Sequence, residues 1–292
     1  MDSRRLGYFV AVVDHGGFTP AAKAVFVSQP ALSLAVKELE AELGVPLFTR
    51  IGRRVALTAA GTALLGPARQ ILRDLETGRA AVAAVAGLAA GSLSLASLPT
   101  LAADPMARLV GEFRRHYPSV RVDLAAPEDS QDLLDLVETG QCELGLTDAR
   151  DVPTTLQAFA LGPQTLVFIH PPGTPPRGPA HTDLGQIPFV ATPERTSTRQ
   201  LLDERLAAEG IRPRLAVVTA QREAILPLVL AGAGAALVPD VVARLAETLG
   251  AVVVRPERPM VRQLALVHRS GPLSPAAVRF CELADGSSDE VA

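Results

Sequence analysis

The chain has no tryptophan, two cysteines and five histidines, and its aromatic residues fill only 4% of 292 positions. Cys142 and Cys281 lie far apart, which excludes a disulfide scaffold and a thiolate metal site and makes a reducing cytoplasm the expected setting. His15, His116, His170, His181 and His268 are scattered, and no His-Glu-x-x-His, Walker loop or Gly-x-Ser-x-Gly elbow occurs, so no metal, no cofactor and no enzyme activity are expected. Long apolar runs are missing too, the longest being Ala80 to Ala90, too short to span a bilayer. Arg4-Arg5 followed by Leu6 to Val13 imitates a signal peptide, but Asp14, His15 and Gly16 end the run without a small-x-small cleavage site. Membrane association is therefore not expected. Nor is there an excess of basic charge: 28 Lys+Arg against 31 Asp+Glu give a net −3, which taken whole counts against nucleic acid.

What is present is a length of about two domains, with 48% hydrophobic residues to bury. The charge is unevenly placed. Residues 1–90 hold ten Lys+Arg and seven Asp+Glu, a net +3, which leaves −6 for the remainder. So small a surplus also fits a solvated helix face, and the pattern must decide.

Leu6, Phe9, Val10 and Val13 recur at helical spacing until Gly16-Gly17 ends the stripe. Thr19 suits the N-cap of a second, short helix with Pro20 at its first position, and Ser28 suits the cap of a third. In that third helix Leu32, Val36, Leu39 and Leu43 face inward, leaving Gln29, Pro30, Ser33, Leu34 and Lys37 outside. Two helices across a tight turn, the second presenting small polar residues and a lysine, read as a helix-turn-helix; a plain three-helix packing unit is the alternative. Leu47–Arg50 and Val55–Thr58 flank a glycine-containing turn with Arg53 and Arg54 at its tip, a hairpin suited to tracking a phosphate-lined groove. From Ala59 to about Ala89 the chain is helical. Ala68, Ile71, Leu75, Gly78, Val82 and Val85 form a seam that suits a dimer partner or ordinary core packing, and Pro67 and Gly78 predict a kink or a broken start.

Beyond Gly91 strands and helices alternate. Strands are expected at 93–97, 120–125, 143–147, 165–170, 189–192 and 215–219, and helices at 102–117, 130–139, 197–209 and 222–231, with a proline-rich break at 171–179. This repeat predicts two lobes with a cleft at strand C-termini. Gly232-Ala233-Gly234 reads as a turn rather than a dinucleotide fingerprint, because it follows a helix and Leu237 stands where a small residue is needed. Cys142 is expected to begin a buried strand and Cys281 to pack from a C-terminal helix, with no basic neighbour to make either a redox switch.

Phe18-Thr19-Pro20-Ala21-Ala22, Val27-Ser28-Gln29-Pro30-Ala31-Leu32-Ser33, Leu39-Glu40, Leu43 to Phe48, Gly52-Arg53-Arg54, Leu57-Thr58 and Gly61 together closely resemble the LysR-type transcriptional regulators. The resemblance continues through Ala96-Ser97, Thr100 to Ala102, Phe113-Arg114, Tyr117-Pro118, Gly140 to Gly145 and Gly232 to Pro239, failing only in the polar tail from about Gly286. It implies an α+β multi-domain chain: a winged helix-turn-helix over 1–58, a dimerising linker helix over 59–90 and a two-lobed α/β effector domain of periplasmic-binding-protein type over 91–292. The lobes are expected over about 91–160 with 262–285, and over about 161–261.

The resemblance further implies a homotetramer that bends double-stranded promoter DNA, works with RNA polymerase and responds to a small-molecule inducer in the cleft. Gln29, Pro30 and Ser33 would then face base edges, Thr19, Ser28 and Lys37 would hold phosphates, and Arg53 and Arg54 would reach the backbone or minor groove. Leu34 stands where most members carry arginine, so it would touch a thymine methyl instead of a guanine. Ser97, Thr100 and Ser130 would contact the inducer from one lobe and Arg195, Thr196 and Ser197 from the other, although hydroxyls at helix starts often serve only as caps. Such a hydroxyl-rich set favours a small, oxygen-rich, anionic inducer, a carboxylate for example. A solute-binding protein or an enzyme on the same two-lobed scaffold, without DNA function, is the competing reading.

Overall fold

The computed structural model describes residues 1–51, 54–85, 91–174 and 184–286. The wing tip Gly52-Arg53, the end of the linker beyond 85, most of the proline-rich break with His181, and the tail beyond 286 lie outside the described residues. The chain divides into two compact units. One is Met1–Gly91 with the short segments Glu138–Gln141 and Pro272–Ala276, and the other is Ser92–Val137, Cys142–Gly271 and Ala277–Ala292.

In the first unit, α1 (Ser3–Asp14), α2 (Phe18–Ala24) and α3 (Gln29–Leu43) pack into a three-helix core. Leu6 and Phe9 of α1 meet Leu39 of α3, while Ala21 and Ala22 of α2 meet Leu32 and Val36. Each leucine so enclosed contributes about 2 kcal/mol relative to exposure. Ser28 caps α3 as expected, its Oγ accepting from the Ala31 amide at 3.4 Å. Thr19 does not cap α2: Gly17 takes that place and Thr19 lies inside the first turn, because Gly17 already closes the end of α1 and α2 begins two residues earlier. At its other end α2 closes with the Val27 amide bonded to the Ala22 carbonyl at 3.0 Å, which forces Phe26 to φ +56°, a conformation usually given to glycine. Leu43 departs from its expected inward position and is 38% exposed, since α3 ends there and Gly44 turns the chain away.

The hairpin forms from β1 (Phe48–Ile51) and β2 (Arg54–Leu57), antiparallel, with Phe48 opposite Leu57. Phe48 anchors it, its ring centroid 5.4 Å from those of both Phe9 and Phe18. The first turn of α4 (Ala59–Val85) contains Gly61, where an added Cβ would lie 2.2 Å from the Leu47 carbonyl oxygen, so only glycine admits this close approach. α4 runs on through Pro67 as one element rather than starting broken. Pro67 falls in the third turn, and the packing of Leu65 and Ala68 with Leu6 and Phe9 of α1 holds the helix across it. Ala68 and Ile71, the first two members of the expected seam, are thereby spent on the chain's own core. Leu75 is 43% exposed.

The second unit is built on one mixed sheet. β3 (Gly91–Ser97), β4 (Val120–Ala125), β5 (Leu144–Asp148), β6 (Leu156–His170), β9 (Ala236–Pro239), β10 (Val252–Val254) and β11 (Met260–Arg269) order as β10-β6-β11-β5-β3-β4, with β9 also on β6. β7 (Pro188–Ala191) and β8 (Arg214–Val218) pair in parallel beside it. The long antiparallel strands β6 and β11 pair from Leu166–Met260 to Leu156–Arg269, with a register shift at Leu264/Ala265, and so pass through both lobes. The expected lobe boundaries at 160/161 and 261/262 fall inside these two strands.

Helices cover the sheet: the short α5 (Pro99–Leu101), α6 (Ala107–His116), α7 (Ser130–Glu138), α8 (Ser197–Ala207), α9 (Arg222–Leu230), α10 (Asp240–Thr248) and α11 (Pro275–Gly286). The single helix expected over 102–117 is divided, because Asp104 takes an extended conformation ahead of Pro105. Gly232-Ala233-Gly234, read as a turn, leads into β9, where Ala236 and Val238 are buried with Val167 and Ile169 of β6. Gly234 is the turn in that stretch, at φ +148° with an added Cβ 2.3 Å from the Pro188 carbonyl oxygen. Cys142 is buried just ahead of β5, and Cys281 lies in α11.

Candidate functional site

In the first unit the start of α2, the exposed side of α3 and the hairpin enclose a groove of about 670 Å³. Thr19, Gln29, Ser33 and Lys37 line it together with Phe48 and Val55, so four residues singled out from sequence converge on one concave surface. Ser28 and Pro30 are exposed at the start of α3 beside it, and Leu34 projects with 59% of its surface free. Arg53 lies outside the described residues, and Arg54 is the first residue of β2. The groove is held in shape by Glu40, whose Oε1 accepts from the Leu47 amide at 2.8 Å and the Phe48 amide at 3.1 Å. One carboxylate thus ties the reading face of α3 to the hairpin. Glu40 carries no signal of this in sequence except its place one residue after an inward leucine.

In the second unit, residues from both lobes meet around Arg262 of β11, which is 1% exposed. Its Nε donates to Gln164 Oε1 at 2.7 Å and its Nη2 to the same oxygen. The opposite edge spans the lobes: Nη2 donates to Thr100 Oγ1 at 3.0 Å, and Nη1 donates to Ser197 Oγ at 2.8 Å. Burial pushes the guanidinium pKa down to about 10; Asp148 opposes this through space, and Arg150 reinforces it. Among the described residues no carboxylate hydrogen-bonds to Arg262, because Asp148 is taken by Arg150, which also reaches Glu204 of α8.

Of the six residues expected to face an inducer, Thr100 and Ser197 are therefore brought together, through an arginine that sequence reasoning missed. Ser97 is fully buried and donates to the Leu98 carbonyl at 3.2 Å. Ser130 is bonded to Asp151, and Thr196 to Thr192 and the Pro193 carbonyl. Arg195, largely exposed, pairs with Asp129 at 2.8 Å. The missed signal lies in the phase of β11, where Met260, Arg262 and Leu264 share the inward face and an arginine takes an apolar place.

Among the described residues no group of His, Cys, Asp and Glu could hold a metal ion, and no helix is long and apolar enough to cross a membrane. Burial pushes the Cys281 thiol up to about 11, with Glu143 and Glu282 adding to the effect.

Comparison with known proteins bears on both sites. Residues 3–62 match the family described as bacterial regulatory helix-turn-helix protein, lysR family, and residues 86–287 match the LysR substrate binding domain. The RuBisCO operon transcriptional regulator of Allochromatium vinosum is 32% identical over 96% of this chain and 94% of its own length. The HTH-type transcriptional regulator CbbR of Rhodospirillum rubrum is 29% identical, with 96% of each chain covered. Full-length CbnR, solved in complex with its target DNA, superposes with a TM-score of 0.65 at 26% identity, covering 98% of this chain and all of that one. A full-length OxyR variant of Pseudomonas aeruginosa shares the fold with a TM-score of 0.72 at 22% identity, covering 98% of this chain and 94% of that one.

Proposed function

The chain belongs to the LysR family of bacterial helix-turn-helix regulators, and from that premise we propose that it binds promoter DNA through the α3 groove and changes that binding when a small molecule fills the interlobe cleft. The observation that carries the DNA reading is the convergence of Thr19, Gln29, Ser33 and Lys37 on one exposed concave face flanked by an arginine-bearing hairpin. Exposed small polar side chains on a helix of this kind suit base edges in the major groove, and a lysine at its rim suits phosphate. Gln29, Pro30 and Ser33 are assigned to bases, Leu34 to a thymine methyl, Thr19, Ser28 and Lys37 to phosphates, and Arg53 and Arg54 to the backbone or minor groove.

The chain is a transcriptional regulator and not an enzyme, in line with the proteins it is similar to. The domain scheme is a reading module over 1–58, a linker helix over 59–90 with Leu75 exposed to meet a second copy, and a two-lobed sensor beyond. The inducer is a small, oxygen-rich anion, approached from the two lobes by Ser97, Thr100, Ser130, Arg195, Thr196 and Ser197, with Thr100 and Ser197 in the lead. Assembly as a homotetramer, DNA bending, contact with RNA polymerase and a cytoplasmic location complete the proposal.

A gel-shift titration of the purified protein on promoter DNA tests it. Binding that prefers the promoter over random duplex and weakens steeply with salt is expected. Equal affinity for all duplexes, or none at low salt, refutes the regulator reading in favour of a solute-binding scaffold.

A further inference from the structure

Arg262 presents a problem of charge balance. A buried guanidinium is normally offset by a carboxylate within hydrogen-bonding distance, since removing an ion from water is costly. Here its bonded partners are the neutral oxygens of Gln164, Thr100 and Ser197. Gln164 fills the Nε/Nη2 edge with an amide oxygen, and its own Nε2 donates to the Asp104 carbonyl at 2.6 Å, which fixes the orientation of that amide. The Nη1/Nη2 edge meets two hydroxyls, one from each lobe.

Each hydroxyl that accepts from Arg262 keeps its own proton to give. Neither the Thr100 nor the Ser197 proton meets an acceptor among the described residues. Ser197 is also the first residue of α8, whose Thr196 makes no side-chain cap, so the first-turn amides stay available and the positive end of the helix dipole faces the same cation. Next in that turn, Thr198 is 5% exposed and its Oγ1 has no hydrogen-bond partner among the described residues. Guanidinium, hydroxyl protons and helix amides are all donors, gathered where no carboxylate is hydrogen-bonded to the guanidinium among the described residues, the nearby Asp148 being paired with Arg150. This arrangement is complementary to one ligand chemistry, an oxyanion.

We infer that Arg262 is the residue that reads charge in the interlobe cleft, supporting a carboxylate or phosphate group that accepts the hydroxyl protons of Thr100 and Ser197, whose oxygens Nη2 and Nη1 hold, with Gln164 as the positioning residue behind it. The inference rests on the cleft being the site of an anionic inducer and adds to it the anchor and the route to the two lobes. An anion on that edge is bonded by lobe one through Thr100 and by lobe two through Ser197, so its binding energy depends on the angle between the lobes. A neutral ligand of the same shape leaves the guanidinium uncompensated and gains none of this.

The test uses full-length protein with malonate, inorganic phosphate and neutral malonamide as probes, each against sodium chloride of equal ionic strength, read by calorimetric titration and by thermal shift. Malonate or phosphate is expected to bind and to raise the melting temperature by mass action, whereas malonamide and chloride do neither. Arg262→Gln is expected to weaken the oxyanion by roughly tenfold to a hundredfold, the loss that follows from removing a charged hydrogen-bonding partner. Arg262→Lys, which keeps the charge and loses the fork, falls between the two. Absence of oxyanion binding to the wild type, equal binding by malonamide, or undiminished binding by Arg262→Gln overturns the inference. Promoter gel shifts on the same wild-type preparation separate the two levels: retained DNA binding with no oxyanion effect removes the Arg262 assignment and leaves the regulator standing.

Discussion

Glu40 offers the sharpest test of how the DNA-reading face is held. Its single Oε1 accepts from two backbone amides, Leu47 and Phe48, at the point where the chain leaves α3 and enters the hairpin. Hydrogen bonds to an ionised acceptor contribute about 1.5–3 kcal/mol each, and a partly buried side chain shared between two amides falls at about 3 kcal/mol for the pair. Glu40→Ala removes that shared acceptor and leaves two part-buried amides without it. Glu40→Gln keeps an acceptor without the charge and is expected to cost about 1 kcal/mol. In a unit of this size each kcal/mol moves the melting temperature by about 4–8 °C, so Glu40→Ala should lower the first unit's transition by roughly 15 °C and Glu40→Gln by roughly 5 °C. Circular dichroism melting of the full-length protein reads both values. Below either transition, Glu40→Ala should also weaken promoter binding, because the hairpin no longer keeps a fixed offset from α3. A melting temperature for Glu40→Ala within about 2 °C of wild type, less than half a kcal/mol on the same scale, would refute the idea that this carboxylate pins the hairpin.

Three further outcomes are expected. Arg53→Ala with Arg54→Ala should weaken binding to every duplex and flatten the dependence of log affinity on log salt by about two units, one per phosphate lost, whereas Gln29→Ala should blur preference at one base pair and leave the slope alone; salt titrations on promoter and random duplex distinguish them, and identical behaviour of the two variants contradicts the assignment. Phe26 is 95% exposed at φ +56°, so Phe26→Asn should raise urea resistance by about 0.5–1 kcal/mol through relief of left-handed strain, and a loss of stability would show that the ring packs on something. Burial pushes the Cys281 thiol up to about 11, above an ordinary 9.0, so the folded chain keeps a proton that the unfolded chain releases. That contribution is whole below pH 9 and lost between pH 9 and 11, and Cys281→Ala should flatten this alkaline decline in urea midpoints measured across the window.

Helices were legible wherever one face alone is buried, because the apolar period then shows directly: Leu32, Val36 and Leu39 of α3 are enclosed as the spacing predicts. The cap at Ser28 was legible for a local reason, since a side chain and an amide three residues apart need nothing else. Thr19 shows the limit of that rule, for Gly17 closes α1 and opens α2 at once and leaves the threonine no cap to fill. The strands β9 and β10 escaped notice because they are short and carry no alternation to read, whereas β11 alternates from Met260 to Leu264 but with Arg262 in an apolar place. The seam on α4 was visible but not its partner; a three-four spacing is the same whether Ala68 and Ile71 meet α1 or a second copy, and here they meet α1. Arg262 was hidden by the same ambiguity. An arginine in a strand is placed outward by default, and only the observed phase of β11 turns it inward.

The overall charge of −3 argued against nucleic acid, and the −6 carried by residues 91–292 argues on the same terms against an anionic ligand. Both arguments fail on distance. Exposed charges in physiological salt are screened beyond about 8 Å, so the acidic surface contributes little at a site defined by contacts of hydrogen-bond length. Arg262, by contrast, acts from a buried position where screening is weak, against hydroxyls within 3.0 Å. The acidic excess then has a different consequence. It disfavours close approach of the sensor to a phosphate backbone and leaves the +3 of residues 1–90 as the part of each chain that DNA attracts, a modest charge that the proposed assembly of several copies on one promoter would multiply. A chain acidic in sum can therefore hold DNA with one unit and an oxyanion with the other, because each ligand responds to the charges within a screening length of it and not to their total.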